Sequence, residues 1–277
     1  MNGRSILITG ASSGFGLMTA RLALSRGWRV AATARRLEAV PLDVSPSLLR
    51  LRLDVTDGAS TAGAVEAALS AFGSLDAVVN NAGMAHFGAA EDVPEEALRE
   101  EMETNFFGAV AVTKAVLPHM RLRGRGRLIF VSSDWGRTGI PGYTGYCASK
   151  HALEGWAESL SHEVKAFGIG VTLIEPGAFD TGFTAQVTRG AASPKSPYAR
   201  LYQAIDKGFE DEGPAPTGEP VAEAILRAAA GEEPHLRVPV GADAMEWSSA
   251  RFKGTEEEFI AELARRYGWD NPGAGSR

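Results

Sequence analysis

The sequence predicts an α/β protein in one domain: a doubly wound parallel sheet of about seven strands, with helices on both faces. Two observations carry this expectation. Short apolar runs alternate with longer stretches of helical periodicity along the chain, and repeated strand–helix–strand units close a parallel sheet through right-handed crossovers. The early apolar runs are also rich in Val, Ile and Leu at successive positions, as strands covered on both faces require.

The expected strands are Ser5–Thr9, Arg29–Thr33, Leu48–Leu53, Ala77–Asn80, Arg127–Ser132, Gly170–Ile174 and Leu236–Val240. Leu48–Leu53 alternates leucines with Arg50 and Arg52, which suits a strand nearer a sheet edge. Helical periodicity covers Phe15–Arg26, Ala59–Phe72, Pro94–Arg123, Tyr146–Phe167 and Glu219–Ala230. Near the end, Thr255-Glu256-Glu257-Glu258 ahead of Phe259 and Leu263 reads as a capping box that opens a last helix. Residues 271–277 read as a frayed tail. Residues 178–220 contain Pro194, Pro197, Pro214, Pro216 and Pro220. That segment is too long for a routine connection and is expected to form a lid over a substrate site.

Composition narrows the function. The chain of 277 residues suits a single α/β domain, 1–277. A net charge of −6 argues against general nucleic-acid or anionic-membrane partners. Cys147 is the sole cysteine, so neither an intrachain disulfide nor a cysteine metal cluster is expected. His86, His119, His151, His162 and His235 lack metal-ligand spacing, and no metal is expected. Ile6-Leu7-Ile8 is too short for a secretory signal, and no apolar run reaches the roughly 18–20 residues of a membrane span. The expected compartment is the cytoplasm. The run Arg121–Arg127 lies where a helix must end and a strand begin, and arginines there complement the helix dipole.

Three groups of residues point to chemistry. Directly after the first expected strand comes Thr9-Gly10-Ala11-Ser12-Ser13-Gly14-Phe15-Gly16, leading into a helix. Gly10 allows a tight turn, Gly14 lets backbone approach a ligand and Gly16 permits close helix packing. Amide donors at the helix N-terminus would face an anion such as a pyrophosphate, the dinucleotide-binding arrangement of a Rossmann-type sheet. Second, Tyr146 and Lys150 stand four apart and share one helix face, with Ser133 thirteen positions before the tyrosine. A free phenol has a pKa of about 10. A neighbouring ammonium favours the phenolate and brings it toward the working range. Third, Asp54, Asn81 and Asn105 fall at strand ends or on the helices lining that edge. Each also has a structural reading: Asp54 as a turn cap, Asn81 as a strand-end residue, Asn105 as a polar residue that kinks a helix.

In the order of these motifs the chain resembles the short-chain dehydrogenase/reductase family, from its start to about Pro176–Thr181. The wide Gly-x-x-x-Gly-x-Gly turn, Asp54-Val55, Asn80-Asn81-Ala82-Gly83, Asn105, Ser132-Ser133, Tyr146 with Lys150, and Pro176-Gly177 carry the likeness. The resemblance implies a catalytic set of Asn105, Ser133, Tyr146 and Lys150, its spacing selecting Ser133 over Ser132. It also implies cofactor contacts from Gly10, Ser12, Ser13, Gly14, Phe15, Gly16, Arg35, Asp54, Val55, Asn81, Ala82, Gly83, Tyr146, Lys150, Pro176, Gly177 and Thr181. The end of the second strand reads Thr33-Ala34-Arg35-Arg36, with alanine where NAD-dependent members commonly carry an acid. Arginine can grip a phosphate bidentately, so NADP is favoured and NAD is the alternative. Ser13 stands where some NADP-binding members have a basic residue and adds nothing to that preference.

The expected function is hydride transfer between NADP(H) and a carbonyl or secondary alcohol, with Tyr146 handling the proton. Tyr146–Gly155 and Ala157–Leu160 are similar to the hydroxysteroid and retinol dehydrogenase branch, which implies a bulky apolar small-molecule substrate. Family members assemble as homodimers or homotetramers through the helices that here contain Asn105 and Lys150. Other classes are a nucleotide-sensing binding protein without turnover, an epimerase or dehydratase using bound cofactor, and a nucleic-acid binder using Arg121–Arg127.

Overall fold

The computed structural model describes residues 3–183, 187–189, 193–211, 214–251 and 253–266; the expected tail at 271–277 lies outside them. The seven strands are β1 (Ser5–Ile8), β2 (Arg29–Ala34), β3 (Leu48–Arg52), β4 (Ala77–Asn80), β5 (Gly126–Val131), β6 (Ile169–Pro176) and β7 (Arg237–Val240). All pair in parallel, in the order β3-β2-β1-β4-β5-β6-β7. The alternating strand takes the edge as expected. The other edge, β7, carries Pro239, which cannot donate to a ladder.

Because strand side chains alternate, each central strand feeds two cores. Leu7, Val78, Leu128, Phe130 and Leu173 face α2 (Gly58–Phe72), α4 (Gly108–Arg123) and α5 (Thr144–Val164). Ile6, Ile8, Val79, Ile129 and Ile174 face α1 (Gly14–Ser25) and α7 (Glu219–Ala230). Each large aliphatic side chain fully withdrawn from water contributes about 1.5–3 kcal/mol, so this double burial fixes the strand register.

The expected helix over Pro94–Arg123 contains one irregular turn. The helix runs as α3 (Glu95–Met102), a widened π-type turn at Glu103–Phe107, and then α4. The Arg121–Arg127 run behaves as a helix end: Gly124 caps α4 in the left-handed region, and Arg123 pairs with Asp76 at 3.2 Å. Two helices were not foreseen, α6 (Ala199–Asp211) and α8 (Ala242–Ala250). The last helix, α9 (Glu256–Arg266), opens on the expected capping box. The Thr255 amide donates to Glu258 at 2.9 Å, and the Glu258 amide to Thr255 Oγ1 at 3.2 Å.

The chain runs outward from β1 in both directions, to β2 and β3 on one side and to β4 through β7 on the other. The connections after β1 and β4 therefore diverge at the carboxyl edge and leave a crevice, where open α/β sheets hold ligands.

Candidate active site

On the β1 side of the crevice, the glycine turn is tied to β4 by side chains. Thr9 Oγ1 accepts from the amides of Asn81 at 2.9 Å and Ala82 at 3.0 Å. Asn81 Nδ2 donates to the carbonyls of Thr9 at 2.9 Å and Gly10 at 3.1 Å. Close approach explains the glycines: a Cβ on Gly16 would sit 2.5 Å from the Gly10 carbonyl oxygen. Gly14 has φ +52°, and its Cβ would meet Thr181 at 3.3 Å, so Thr181 stands against the turn. The first turn of α1 carries no acidic residue, and Ser13 makes no side-chain cap there. These donors and this cradle fit a dinucleotide pyrophosphate.

Farther along the edge, Arg35 is exposed at the end of β2. Asp54 is held below the usual carboxylate range, first by its bond from Thr56 Oγ1 and also by the nearby Arg35 and Arg52. Val55 is buried in the core, against Gly108. Asp54 thus caps its turn and Asn81 serves a strand end, in keeping with their structural readings. Phe15 packs edge-on to Phe179 at 5.9 Å, a structural contact, and Pro176 ends β6 opposite Val240. A Cβ on Gly177 would lie 2.1 Å from the Asp243 carboxylate.

The expected catalytic residues come together at the ends of β4 and β5. The π-type turn aims Asn105 inward: its Oδ1 accepts from the Met84 amide, and its Nδ2 donates to the Met84 carbonyl and to Ser149 Oγ, all at 2.9 Å. A Cβ on Gly83 would lie 3.3 Å from Asn105 Oδ1 and 3.8 Å from Lys150 Nζ, so Gly83 leaves room between them. Lys150 Nζ donates to the Val131 carbonyl at 2.8 Å and lies 5.5 Å from the Tyr146 ring centre. Burial lowers the lysine pKa to about 8, partly opposed by Glu154 one turn on.

The expected pull of Lys150 on the phenol meets an opposing influence. Burial of Tyr146, which is 9% exposed, raises its pKa; a hydrogen bond with Ser133 opposes the rise and Asp134 adds to it. Burial disfavours the charged phenolate and is the largest influence on Tyr146. Ser133 also caps the short turn Asp134–Gly136 and donates to Asp134 Oδ1 at 2.9 Å. Ser132 turns the other way, its hydroxyl buried against Gly136.

Over the phenol stands an aromatic wall. Trp135 meets Tyr146 edge-on at 6.0 Å, Tyr143 at 4.9 Å and Phe209 at 6.2 Å, while Phe183 lies 5.9 Å from Tyr146. Phe209 belongs to α6, whose Tyr202 and Ile205 are buried in the cluster around the site. The Tyr202 hydroxyl accepts from the Ala89 amide at 2.9 Å and donates to Asp92, fastening α6 down.

Sequence reasoning missed Asp134, Thr9, Ser149 and this wall. The sequence signal for Asp134 is its place next to Ser133. A signal for α6 existed: the prolines of 178–220 stop at Pro197 and resume at Pro214. Between them Leu201, Tyr202, Ile205 and Phe209 recur at helical spacing.

The model of the family described as short chain dehydrogenase matches residues 4–192. Two relatives are an uncharacterized oxidoreductase, YusZ, of Bacillus subtilis and a 3-ketodihydrosphingosine reductase of Bacteroides thetaiotaomicron. The first is 41% identical over 87% of this chain and 90% of its own. The second is 40% identical over 87% and 89%. A short-chain dehydrogenase from Streptomyces avermitilis superposes with a TM-score of 0.80 at 36% identity, covering 95% of this chain and 96% of that one. A short-chain dehydrogenase from Burkholderia cenocepacia, in complex with NADP, gives 0.76 at 26% identity over 95% and 98%. A 3-ketoacyl-(acyl-carrier-protein) reductase from Brucella melitensis, complexed with NADH, gives 0.72 at 25% over 86% and 97%. With a glycine cradle at the switch point and a family model covering most of its length, the chain belongs to the short-chain dehydrogenase family and is an NAD(P)-dependent oxidoreductase.

Proposed function

We propose that the protein interconverts a carbonyl and a secondary alcohol on a bulky apolar molecule, with NADP(H) as the preferred cofactor and NAD as the alternative. The observation that carries this reading is the meeting of Ser133, Tyr146 and Lys150 beside the glycine cradle, under an aromatic wall. When bound, the nicotinamide supplies or takes up the hydride. Gly10, Ser12, Ser13, Gly14, Phe15 and Gly16 would hold the pyrophosphate side, and Asp54 and Val55 the adenine side. Asn81, Ala82, Gly83, Lys150, Pro176, Gly177 and Thr181 would line the nicotinamide side.

In the reducing direction Tyr146, protonated at neutral pH, donates its proton to the carbonyl oxygen. Ser133 hydrogen-bonds the same oxygen and stabilises the charge that develops there. Lys150 supplies positive charge behind the phenol. Asn105 holds the Met84 loop to α5 and so fixes the distance between the two sides of the site.

Ala34 and Arg35 favour a ribose 2′-phosphate over a bare hydroxyl, through the planar guanidinium. The wall of Trp135, Tyr143, Phe183 and Phe209 favours a large apolar substrate, steroid- or retinoid-like in size. The relative named 3-ketodihydrosphingosine reductase supports a keto group as the reacting centre. Residues 178–220 act as the lid, with α6 as its covering helix. This reading includes a homodimer or homotetramer built on α4 and α5, and a cytoplasmic location. The test is absorbance of the reduced nicotinamide against a panel of large and small ketones and alcohols, with both cofactors. Consumption of NADPH with large ketones is the expected result, and no net cofactor turnover with any carbonyl would end this reading. Sedimentation and cell fractionation test assembly and location.

A further inference from the structure

Ser133 has one hydroxyl hydrogen and more than one claimant. Its Oγ donates to Asp134 Oδ1 at 2.9 Å, and it also bonds Tyr146. Reduction of a carbonyl asks for the same hydrogen at the substrate oxygen. The Trp135 amide fixes the acid in place, donating to Asp134 Oδ1 at 2.9 Å and to Ser133 Oγ at 3.2 Å. Asp134 is the second neighbour of the phenol, and it is not part of the catalytic set.

We propose that Asp134 is a positioning residue that sets the direction of the Ser133 hydroxyl. As a carboxylate it holds the serine hydrogen, and as a neutral carboxyl it leaves that hydrogen to the substrate oxygen. Only a proton from solvent is gained or lost at Asp134; no covalent bond changes. The inference rests on the carbonyl–alcohol reading of the site.

The surroundings decide where the switch lies. Tyr146 and Cys147 face Asp134 from α5, Asp243 from α8 and Glu175 from β6. Arg137 and Arg237 pair with Glu175 at 3.9 and 3.5 Å, and Lys150 Nζ is bonded to the Val131 carbonyl. Burial raises the Asp134 pKa to about 7, Asp243 adds to the rise, and the Ser133 hydrogen bond opposes it. Burial lifts Cys147 to about 11 and raises Tyr146, so both stay neutral through the physiological range. Glu175 is raised by burial into an overlapping window, so a variant at Asp134 itself is needed. For a raised carboxyl the neutral form persists to higher pH, so the competent serine is present below about pH 7 and lost above it.

Two measurements test this. The first follows reduction of phenanthrenequinone, with whichever reduced nicotinamide the protein takes. For the natural protein kcat/KM should fall about tenfold per pH unit above the Asp134 midpoint. In Asp134→Asn, which keeps the acceptor for Trp135 and never ionises, that fall should vanish, leaving a later one as Lys150 loses its proton. An unchanged limb in Asp134→Asn overturns the proposal. The second needs no turnover: the side-chain carboxyl of Asp134, assigned through its own backbone, is titrated by carbon NMR. Its midpoint should move up in Ser133→Ala, because the donor that favours the carboxylate is gone. An unmoved midpoint overturns the proposal as well. Failure to reduce any carbonyl would count against the proposed function, and the NMR titration would still decide the Ser133–Asp134 coupling.

Discussion

The two sides of the crevice are built by different means. The nucleotide side, β1 through β4 with their turns, is held by small residues and short polar links between neighbouring loops, such as Thr9 to Asn81 and Ala82. The substrate side is a set of packed rings, Trp135, Tyr143, Phe183 and Phe209. Backbone and glycine geometry admits one ligand shape. A wall of rings admits many, because each ring can be exchanged for another without breaking a hydrogen bond. The first kind of construction suits a cofactor, the second a substrate.

That contrast can be broken where the sides meet. Tyr146→Phe removes the proton donor and leaves the ring packed against Trp135 and Phe183. Turnover should fall about 10³-fold while nicotinamide binding, followed by fluorescence, persists. On the nucleotide side, Arg35→Glu should shift the ratio of kcat/KM for NADPH over NADH by about a hundredfold toward NADH, with the carbonyl preference unchanged. If the cofactor ratio stays put, Arg35 does not face the 2′ position.

Beneath the junction lies Glu101, 1% exposed, bonded to the His86 amide at 2.8 Å and pressed against Gly145. Burial raises its pKa from an ordinary 4.5 to about 7. The folded state therefore prefers the neutral acid, and that stabilisation is present at low pH and lost as pH rises through about 7. Urea unfolding of Glu101→Gln should show a pH dependence between 5 and 8 reduced by on the order of 2 kcal/mol. The smallest effect belongs to the wall: Phe209→Ala should lower kcat/KM for large ketones about tenfold and leave small ones and NADPH unaffected. Equal losses for large and small ketones would mean that α6 orders the site and does not select its substrate.

The same contrast explains what the sequence disclosed. The glycine turn was legible because its close packing needs particular residues at fixed spacing: Gly10, Gly14 and Gly16 after β1, tied to Asn81 after β4. That Asn105, Ser133, Tyr146 and Lys150 gather at one end of the sheet was legible from their order and spacing. The substrate side was not, because Phe209 meets Trp135 only after α6 folds over the sheet edge, and no local pattern records that contact. Nor could spacing reveal that Lys150 is bonded to the Val131 carbonyl or that burial raises the phenol. The structural readings of Asp54, Asn81 and Asn105 also proved informative: all three have internal partners in the structure.

The wide turn at Glu103–Phe107 has a consequence for how this helix can change. Each α-helical residue advances the direction of a side chain by about 100°. A π-type turn is a one-residue insertion that the helix absorbs without losing its ladder. Removing one residue there would leave α4 its length and composition, yet rotate Asn105 away from Met84 and Ser149. Deletion of Thr104 is therefore a sharper probe than any point substitution: it would keep the helix and lose the latch between the β4 loop and α5.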